Sequence, residues 1–296
     1  MNRYRYFTCD VFTDRAFCGN PLAVLPDARG LSAAQMQSVA REFNYSETTF
    51  VLPPDDPKHA ARVRIFTPGG ELPFAGHPTI GTAFVLATIG ALAADAGEIV
   101  FEEGVGPVPV SIFRDAGRVT HCRLTAAQLP EQGPLAPPAS ALARMLSLAE
   151  GEVLDGAACW SCGVPFLVVP VVGLDALTRC ALDLPVWREL LCDYPTQKVY
   201  PVARIDALHW RVRMFAPGLG VAEDPATGSA AASFAGWLSA QMPQPRDGTL
   251  AVRLEQGIEM GRPSELDVEI DRRGGAITAV RVGGAALMVA EGTLSL

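Results

Sequence analysis

The chain carries four short motifs in the same order in each of its halves. In the first half these are CGNPLAVLP (18–26), RVRIFTPGG (62–70), HPTIGTA (77–83) and FEEGVGPVPV (101–110). In the second half they are CGVPFLVVP (162–170), RVRMFAPGL (211–219), DPATGSA (224–230) and LEQGIEMGRP (254–263). A single ordered repeat of this length is not the short period of a solenoid. It predicts two homologous domains related by a pseudo-twofold axis.

A chain of 296 residues is also longer than one average domain. We place the first domain at residues 1–125 and the second at 126–296, and the C-terminal end can return to the first half. The proline-rich run LPEQGPLAPPAS, at 129–140, is predicted to be a linker.

The order of predicted elements is similar in both halves. A β-rich run such as 63–66 leads to a Pro-Gly turn, and a helix follows at 79–92 or 226–238. Proline is favoured at the first helical position, and an aspartate directly before it, Asp224, is expected to be an N-cap. Both helices are rich in Ala, Phe and Leu, as expected of a buried helix. A further amphipathic helix is predicted at 32–44. The pattern predicts an α+β fold, with strands wrapped around a central helix in each half.

Composition narrows the class of function. A formal charge of −8 and a pI near 5.1 argue against nucleic acid or an anionic membrane surface as the partner. The most apolar run, 79–94, is too short to span a membrane, so a buried helix is the better interpretation. Seven cysteines, without the apolar core of a signal peptide, indicate reduced thiols in the cytoplasm. The sequence contains no GxGxxG, P-loop or HExxH motif, so no nucleotide or metal cofactor is predicted.

Two predicted helix starts carry residues that could perform chemistry. Helix N-termini bind carboxylates and stabilise developing negative charge. If the halves are related by a twofold axis, both starts point into one cleft. His77 stands at one start and Asp224 at the matching position of the other, which would suit acid–base chemistry. Helix capping by Asp224 and Thr79 is the alternative interpretation.

Glu47, in NYSETTFV, stands at the mouth of a β-branched run. A carboxylate entering a buried strand must be paired or have its pKa raised above the reference value of about 4.3. A raised pKa suits a general base. The residues alone leave a capping or surface glutamate as the alternative.

Cys159 and Cys162 form a CxxC motif. With no second CxxC and no nearby histidine, a structural zinc site is unsupported. A redox pair is one alternative, but the match of Cys162 to Cys18 favours a buried thiol beside a glycine turn.

Four segments together resemble the PhzF-like proteins of phenazine biosynthesis, which are related by fold to diaminopimelate epimerase. They are FCGNPLAVLPDARGLSAAQMQSVAREFNYSETTFV, RIFTPGGELPFAGHPTIGTA, VAEDPATGSAA and EQGIEMGRPSE, spread over residues 17–265. The resemblance implies a diaminopimelate epimerase-like fold of two domains. Each domain is a mostly antiparallel sheet wrapped around a central helix, and the active site lies between the domains. The resemblance also implies a homodimer and a cofactor-independent isomerase similar to trans-2,3-dihydro-3-hydroxyanthranilate isomerase.

The resemblance assigns the catalytic residues as well: Glu47 as general acid/base, with His77 and Asp224. The resemblance places the family's histidine at Gly76-His77 and its serine at Ser229. We assign Gly76, Ser229, Gly228 and Asn20 to substrate binding. The epimerase relatives use one cysteine at each helix start, whereas residues 75–77 and 224–226 contain none here. This difference argues against two-base thiol racemisation.

The resulting hypothesis is a one-base proton shift on a small carboxylated substrate. Glu47 would remove a proton from an acidic carbon and return it elsewhere on the same face. The competing interpretations are a non-catalytic small-molecule-binding protein that retains the cleft, and a thiol or metal protein using Cys159 and Cys162. The sequence does not identify the substrate.

Overall fold

A computed structural model describes residues 2–242 and 245–296 of the chain. These residues form two compact units. Unit 1 comprises the chain up to Ala127 together with Val282–Leu296, and unit 2 comprises Gln128–Arg281. The part of the chain that the structure describes has no helix with the length and apolar character needed to cross a membrane.

The elements follow one another along the chain as strands interrupted by few helices. The first are β1 (Arg3–Val11), β2 (Asn20–Leu25), α1 (Ala33–Phe43), β3 (Glu47–Leu52), β4 (Ala61–Phe66), β5 (Glu71–Leu72), α2 (Gly76–Thr88), β6 (Glu98–Glu103), β7 (Gly106–Asp115) and β8 (Arg118–Thr125). Next come β9 (Glu131–Leu135), α3 (Ala139–Met145), β10 (Ala158–Ser161), β11 (Pro165–Pro170), α4 (Leu174–Arg179), α5 (Leu184–Leu191), β12 (Val199–Arg204), β13 (His209–Val212), β14 (Met214–Ala216) and a 3-10 turn (Pro217–Leu219). The last are β15 (Val221–Asp224), α6 (Gly228–Gln241), β16 (Gly248–Gln256), β17 (Ser264–Arg273), β18 (Ala276–Gly284) and β19 (Ala286–Ser295).

Unit 1 is one mixed sheet wrapped around α2. Its strands pair in the order β19, β1, β2, β3, β4, β6, β7 and β8; the β2–β3 and β4–β6 pairs are parallel and the others antiparallel. Helix α2 contacts β1, β2, β3, β7, β8 and β19, and all its residues from Gly76 to Leu86 are buried. A helix that is apolar all round must be surrounded by protein, so α2 forms the centre of the unit's core.

Unit 2 repeats this pairing order. Strands β10, β11, β12, β13, β16 and β17 pair in sequence, with parallel pairs at β11–β12 and β13–β16. Helix α6 contacts β9, β10, β11 and β17 and is buried along most of its length. A second cluster of apolar side chains packs α3, α4 and α5 against this sheet. The predicted α+β fold, with a central helix in each half, is therefore observed.

The proline-rich segment predicted as a linker is instead part of unit 2. Residues 131–135 form β9, which pairs antiparallel with β10, and α3 begins at Ala139. Proline is tolerated in an edge strand, where its missing N–H is not needed for the ladder. All five residues of β9 are exposed, which explains why the run looks like a linker in sequence.

The helix predicted at 32–44 is confirmed as α1, which has a capping box between Ser32 and Gln35. The two central helices begin and end elsewhere than predicted. Helix α2 starts at Gly76, two residues before Pro78. Proline is tolerated in the first turn because the N–H that it lacks would have no helical partner there. Helix α6 starts at Gly228 with Thr227 as its N-cap residue. Asp224 is therefore not the N-cap and instead ends β15.

Candidate active site

Two neighbouring parallel strands of the unit 1 sheet begin with Asn20 and Glu47, so both residues lie at the same end of these strands. Asn20 opens β2 and Glu47 opens β3, and Glu47 pairs with Leu22 across the ladder. Asn20 is fully buried, whereas the Glu47 side chain is 15% exposed. A carboxylate that is partly open beside a buried amide can reach both solvent and a bound molecule.

His77 lies in the first turn of α2, between these two side chains. Its Nδ1 is 3.2 Å from Asn20 Nδ2, and its Nε2 is 3.5 Å from Glu47 Oε2. An amide nitrogen only donates, so with Asn20 Nδ2 directed at the ring, Nδ1 must accept. The neutral ring then carries its hydrogen on Nε2, facing the Glu47 carboxylate.

Burial decides the charge of His77. The residue is 3% exposed, and the loss of hydration lowers the pKa of its imidazole from 6.5 to about 3. The nearby Glu47 carboxylate would favour the imidazolium form, but desolvation is the dominant cause. His77 is therefore a neutral hydrogen-bond donor at physiological pH.

A hydroxyl pair fixes the helix that carries His77 against the strand that carries Glu47. Thr49 Oγ1 on β3 lies 2.8 Å from Thr82 Oγ1 on α2, and both residues are fully buried. Thr49 is two residues after Glu47 and so faces the same side of β3. This hydrogen bond sets the position of Glu47 relative to His77.

Gly76 is the first residue of α2. The N-cap residue is Ala75, and among the described residues no side chain makes a capping hydrogen bond at this helix start. The preceding Ala75 is extended, and its carbonyl accepts a hydrogen bond from the Thr79 hydroxyl at 2.8 Å. The N–H groups of the first turn therefore remain available to a negatively charged group near His77.

Unit 2 holds Asp224 in a network of its own. Thr227 Oγ1 donates to Asp224 Oδ2 at 2.5 Å, and Gln256 Nε2 donates to the Asp224 carbonyl at 2.8 Å and to Thr227 Oγ1 at 3.0 Å. The Ser264 hydroxyl donates to the carbonyl of Pro225 at 2.8 Å. Asp224 is buried, and its turn is held by two residues from distant strands.

Gly228 and Ser229 are the first two residues of α6, and Ser229 is half-buried. Of the predicted site residues, the structure brings Asn20, Glu47, His77 and Gly76 together in unit 1. Asp224, Gly228 and Ser229 lie close together at the start of α6 in unit 2. Thr49, Thr82 and Gln256 were not predicted to have a role, although the repeated E/Q-G pair in FEEG and LEQG marks Gln256.

Cys159 and Cys162 are free, buried thiols in unit 2. Cys162 Sγ donates to the carbonyl of Ala232, and burial raises the pKa of its thiol to about 12. Desolvation likewise raises the pKa of Cys159. Both are therefore protonated at physiological pH. Across the described ranges, His, Cys, Asp and Glu side chains form no group of three or more suited to a metal ion.

The sequence and the fold place this chain in a class of isomerases, as comparison with known proteins shows. The family model described as phenazine biosynthesis-like protein matches residues 9–292. An uncharacterized isomerase of Mesorhizobium japonicum is 44% identical, with 99% of each chain covered. Trans-2,3-dihydro-3-hydroxyanthranilate isomerase of Pseudomonas aeruginosa is 36% identical, with 98% of each chain covered.

Among solved structures, the phenazine biosynthesis protein of the PhzF family from Bacillus anthracis superposes with a TM-score of 0.89. It is 26% identical, and all of both chains is covered. The chain belongs to the phenazine biosynthesis-like family. The predicted fold class, the family resemblance and the prediction of an isomerase are confirmed.

Proposed function

We propose that this isomerase catalyses a proton shift on a small carboxylated substrate, with Glu47 as general acid and base. The observation that carries the proposal is the contact between His77 Nε2 and Glu47 Oε2, at 3.5 Å. In this arrangement a partly exposed carboxylate faces a neutral imidazole whose tautomer is fixed from behind by Asn20. Such a pair can take up a proton and then release it without a cofactor.

The pKa of His77 supports the choice of base. An imidazole with a pKa of about 3 is a poor proton acceptor at neutral pH. Glu47 is then the proton acceptor of the pair, and the Nε2–H group of His77 orients its carboxylate or a polar substituent of the substrate. The first-turn N–H groups of α2, at Gly76, would bind negative charge on the substrate.

The substrate is proposed from the relatives. The Pseudomonas aeruginosa relative is named for trans-2,3-dihydro-3-hydroxyanthranilate, a cyclic amino acid with a carboxylate. A molecule of this class is our first candidate. Catalytic contributions of Asp224 and substrate contacts of Gly228 and Ser229 remain predictions, as do a homodimer and a cytoplasmic location.

The test is solvent exchange by the Glu47→Gln variant. Wild-type protein and variant are incubated with trans-2,3-dihydro-3-hydroxyanthranilate in D₂O, and deuterium incorporation and isomerisation are followed by NMR. Glutamine keeps the size of the side chain but removes the base. We expect turnover to fall by roughly 10²- to 10⁴-fold with substrate affinity largely unchanged, since this is the usual contribution of a placed general base.

Glu42→Gln is the matched control, because Glu42 is an exposed residue of α1 and should leave the rate unchanged. Undiminished exchange by Glu47→Gln would contradict the assignment of the base. A ligand-induced thermal shift of the wild-type protein without any exchange would instead support the non-catalytic binding interpretation.

A further inference from the structure

Glu103, at the end of β6, is a buried carboxyl group that the proposed proton shift does not use. The residue is 8% exposed, and its Oε1 lies 2.6 Å from Thr79 Oγ1 in the first turn of α2. Its Oε2 has no hydrogen-bond partner among the described residues. An ionised carboxylate would be costly in such a place, because burial without a charged partner disfavours the charged form.

The hydrogen atoms around Thr79 indicate which form is present. Thr79 Oγ1 is in hydrogen-bonding distance of two oxygens, Glu103 Oε1 and the carbonyl of Ala75, at 2.6 Å and 2.8 Å. A hydroxyl has one hydrogen, and a carbonyl can only accept. Unless the one hydrogen is shared between both oxygens, the two contacts are hydrogen bonds when Thr79 donates to Ala75 and Glu103 donates to Thr79. The donation from Glu103 requires a protonated carboxyl group.

The repeat provides an independent comparison within the same chain. Glu103 in FEEG corresponds to Gln256 in LEQG. Gln256 Nε2 donates to the hydroxyl of Thr227, which in turn donates to Asp224. In unit 2 the residue at the position of Glu103 is therefore a neutral donor to a threonine hydroxyl near the start of the central helix, although Thr227 aligns with Ile80 and not with Thr79. Glutamine is the neutral isostere of protonated glutamate.

We propose that Glu103 is a neutral carboxylic acid that donates a hydrogen bond to Thr79 and thereby positions the first turn of α2, which carries His77. It is a positioning residue, and its catalytic consequence rests on the function proposed above. Without this hydrogen bond the first turn of α2 would lose its tie to β6. The Thr79–Ala75 and Thr49–Thr82 contacts would remain, but the place of His77 beside Glu47 would be less closely fixed.

The charges around Glu103 leave it without an ionic partner. It lines an open groove of about 830 Å³ in unit 1, whose other charged side chains pair with one another. These pairs are Arg62 with Asp55, Arg64 with Glu71 and His59 with Glu102. Within α2, which packs against this side, the titratable residue is the neutral His77. The other neighbouring strand, β7, places Gly106 opposite Glu103, and its Arg114 and Asp115 lie at the far end.

Burial accordingly raises the pKa of Glu103 from 4.5 to about 8. Between these two values the unfolded chain has lost the proton that the native protein keeps. Because the native state binds more protons at Glu103 in this window, the contribution of this residue to stability must fall as the pH rises from about 4.5 to about 8 and then level off.

The test compares Glu103→Gln and Glu103→Ala with the wild-type protein and with Glu98→Gln, a control at an exposed position of the same strand. Infrared difference spectroscopy at pH 7 should show a protonated-carboxyl band in the wild type and in Glu98→Gln that Glu103→Gln lacks. The melting temperature of Glu103→Gln should exceed that of the wild type by a margin that grows from pH 5 to pH 8.

The exchange rate should survive in Glu103→Gln and fall roughly tenfold or more in Glu103→Ala, which cannot hold Thr79. Absence of the band from the wild type would overturn the neutral form. A folded Glu103→Gln as inactive as Glu103→Ala would overturn the positioning role. The infrared and melting measurements need no substrate, so they stand or fail separately from the proposed isomerisation.

Discussion

The His77 imidazole is packed between Asn20 and Glu47 and is desolvated. This desolvation makes its contribution to the stability of the protein depend on pH in the acidic range. The native ring has a pKa of about 3, against 6.5 for an exposed ring. As the pH falls through about 6.5, His77 becomes protonated in the unfolded chain but stays neutral in the native protein. The unfolded state then binds more protons at His77, so the contribution of this residue to stability decreases with acidification down to about pH 3. Between about pH 4.5 and 6.5 the contribution of Glu103 changes in the opposite direction.

We therefore expect the free energy of unfolding of His77→Gln, relative to that of the wild type, to rise as the pH falls from about 6.5 towards 4. Each pH unit in this window lowers the contribution of His77 to the free energy of unfolding of the wild type by up to about 1.4 kcal/mol. Urea denaturation at several pH values between about 4 and 8 measures both curves. His209→Gln is the control, since its ring is partly exposed. Parallel curves for wild type and His77→Gln would contradict the desolvated imidazole.

At the level of elements, local sequence was sufficient where local contacts decide the structure. The limits of α1 follow from Ser32, Gln35 and Asn44, which cap the helix with their own side chains and backbone. The start of α6 could not be found this way. Gln256 holds the turn at Thr227 from 29 residues away, so the helix begins after that turn rather than directly after Pro225.

The same distinction holds for the candidate site. The residue types in the motifs, with the family resemblance, were enough to select Glu47 and His77. Their contact could not be read from spacing, because it depends on the parallel pairing of β2 with β3 and on the packing of α2 against both. The role of Glu103 depends on a hydrogen bond to a residue 24 positions away.

Gly81 shows how closely α2 packs on the strands that carry the site. A Cβ atom at this position would lie 2.6 Å from Leu22 Cδ2 and 2.7 Å from Val11 Cγ2, and both neighbours are fully buried. Alanine normally favours a helix over glycine by about 1 kcal/mol. Here the added methyl group must push α2 away from β2.

We expect Gly81→Ala to destabilise the protein by about 1–3 kcal/mol, the usual cost of overpacking a core. Because Leu22 lies two residues from Asn20, the displacement should also disturb the Asn20–His77 contact and lower the exchange rate. Thermal or urea unfolding and the D₂O assay measure the two effects. Gly97→Ala, where the new atom meets nothing within 4 Å, should lose neither stability nor activity. A Gly81→Ala variant as stable as wild type would contradict the close approach.

On the scale of the whole molecule, two units with one strand order carry different chemistry at their central helices. His77 and Glu103 in unit 1 correspond in the repeat to Asp224 and Gln256 in unit 2. Each unit thus keeps a neutral donor that binds a threonine hydroxyl near its helix start, but only unit 1 does so with a titratable group. The pH response that we predict therefore originates in unit 1.

Unit 1 also depends on both ends of the described chain. Strand β19 pairs antiparallel with β1 over nine residue pairs, from Arg3–Ser295 to Val11–Ala286. Asn2 and Leu296 extend the ladder with two backbone hydrogen bonds, at 2.8 Å and 2.9 Å. A strand edge that loses its partner exposes a row of N–H and C=O groups to water. The last strand should therefore protect unit 1 selectively.

Ending the chain after Ala285 removes β19 and tests this expectation. Hydrogen exchange reports local opening, so amides of β1 and β2 should exchange roughly tenfold faster or more in the shortened protein. Amides of β16 and β17, which pair with each other in unit 2, should keep their protection. A control chain that ends after Leu294 loses only the last two residues and should exchange like the full chain. Equal loss of protection in β16 and β17 would contradict unit-specific stabilisation, because it would mean that β19 stabilises the two units as one cooperative structure.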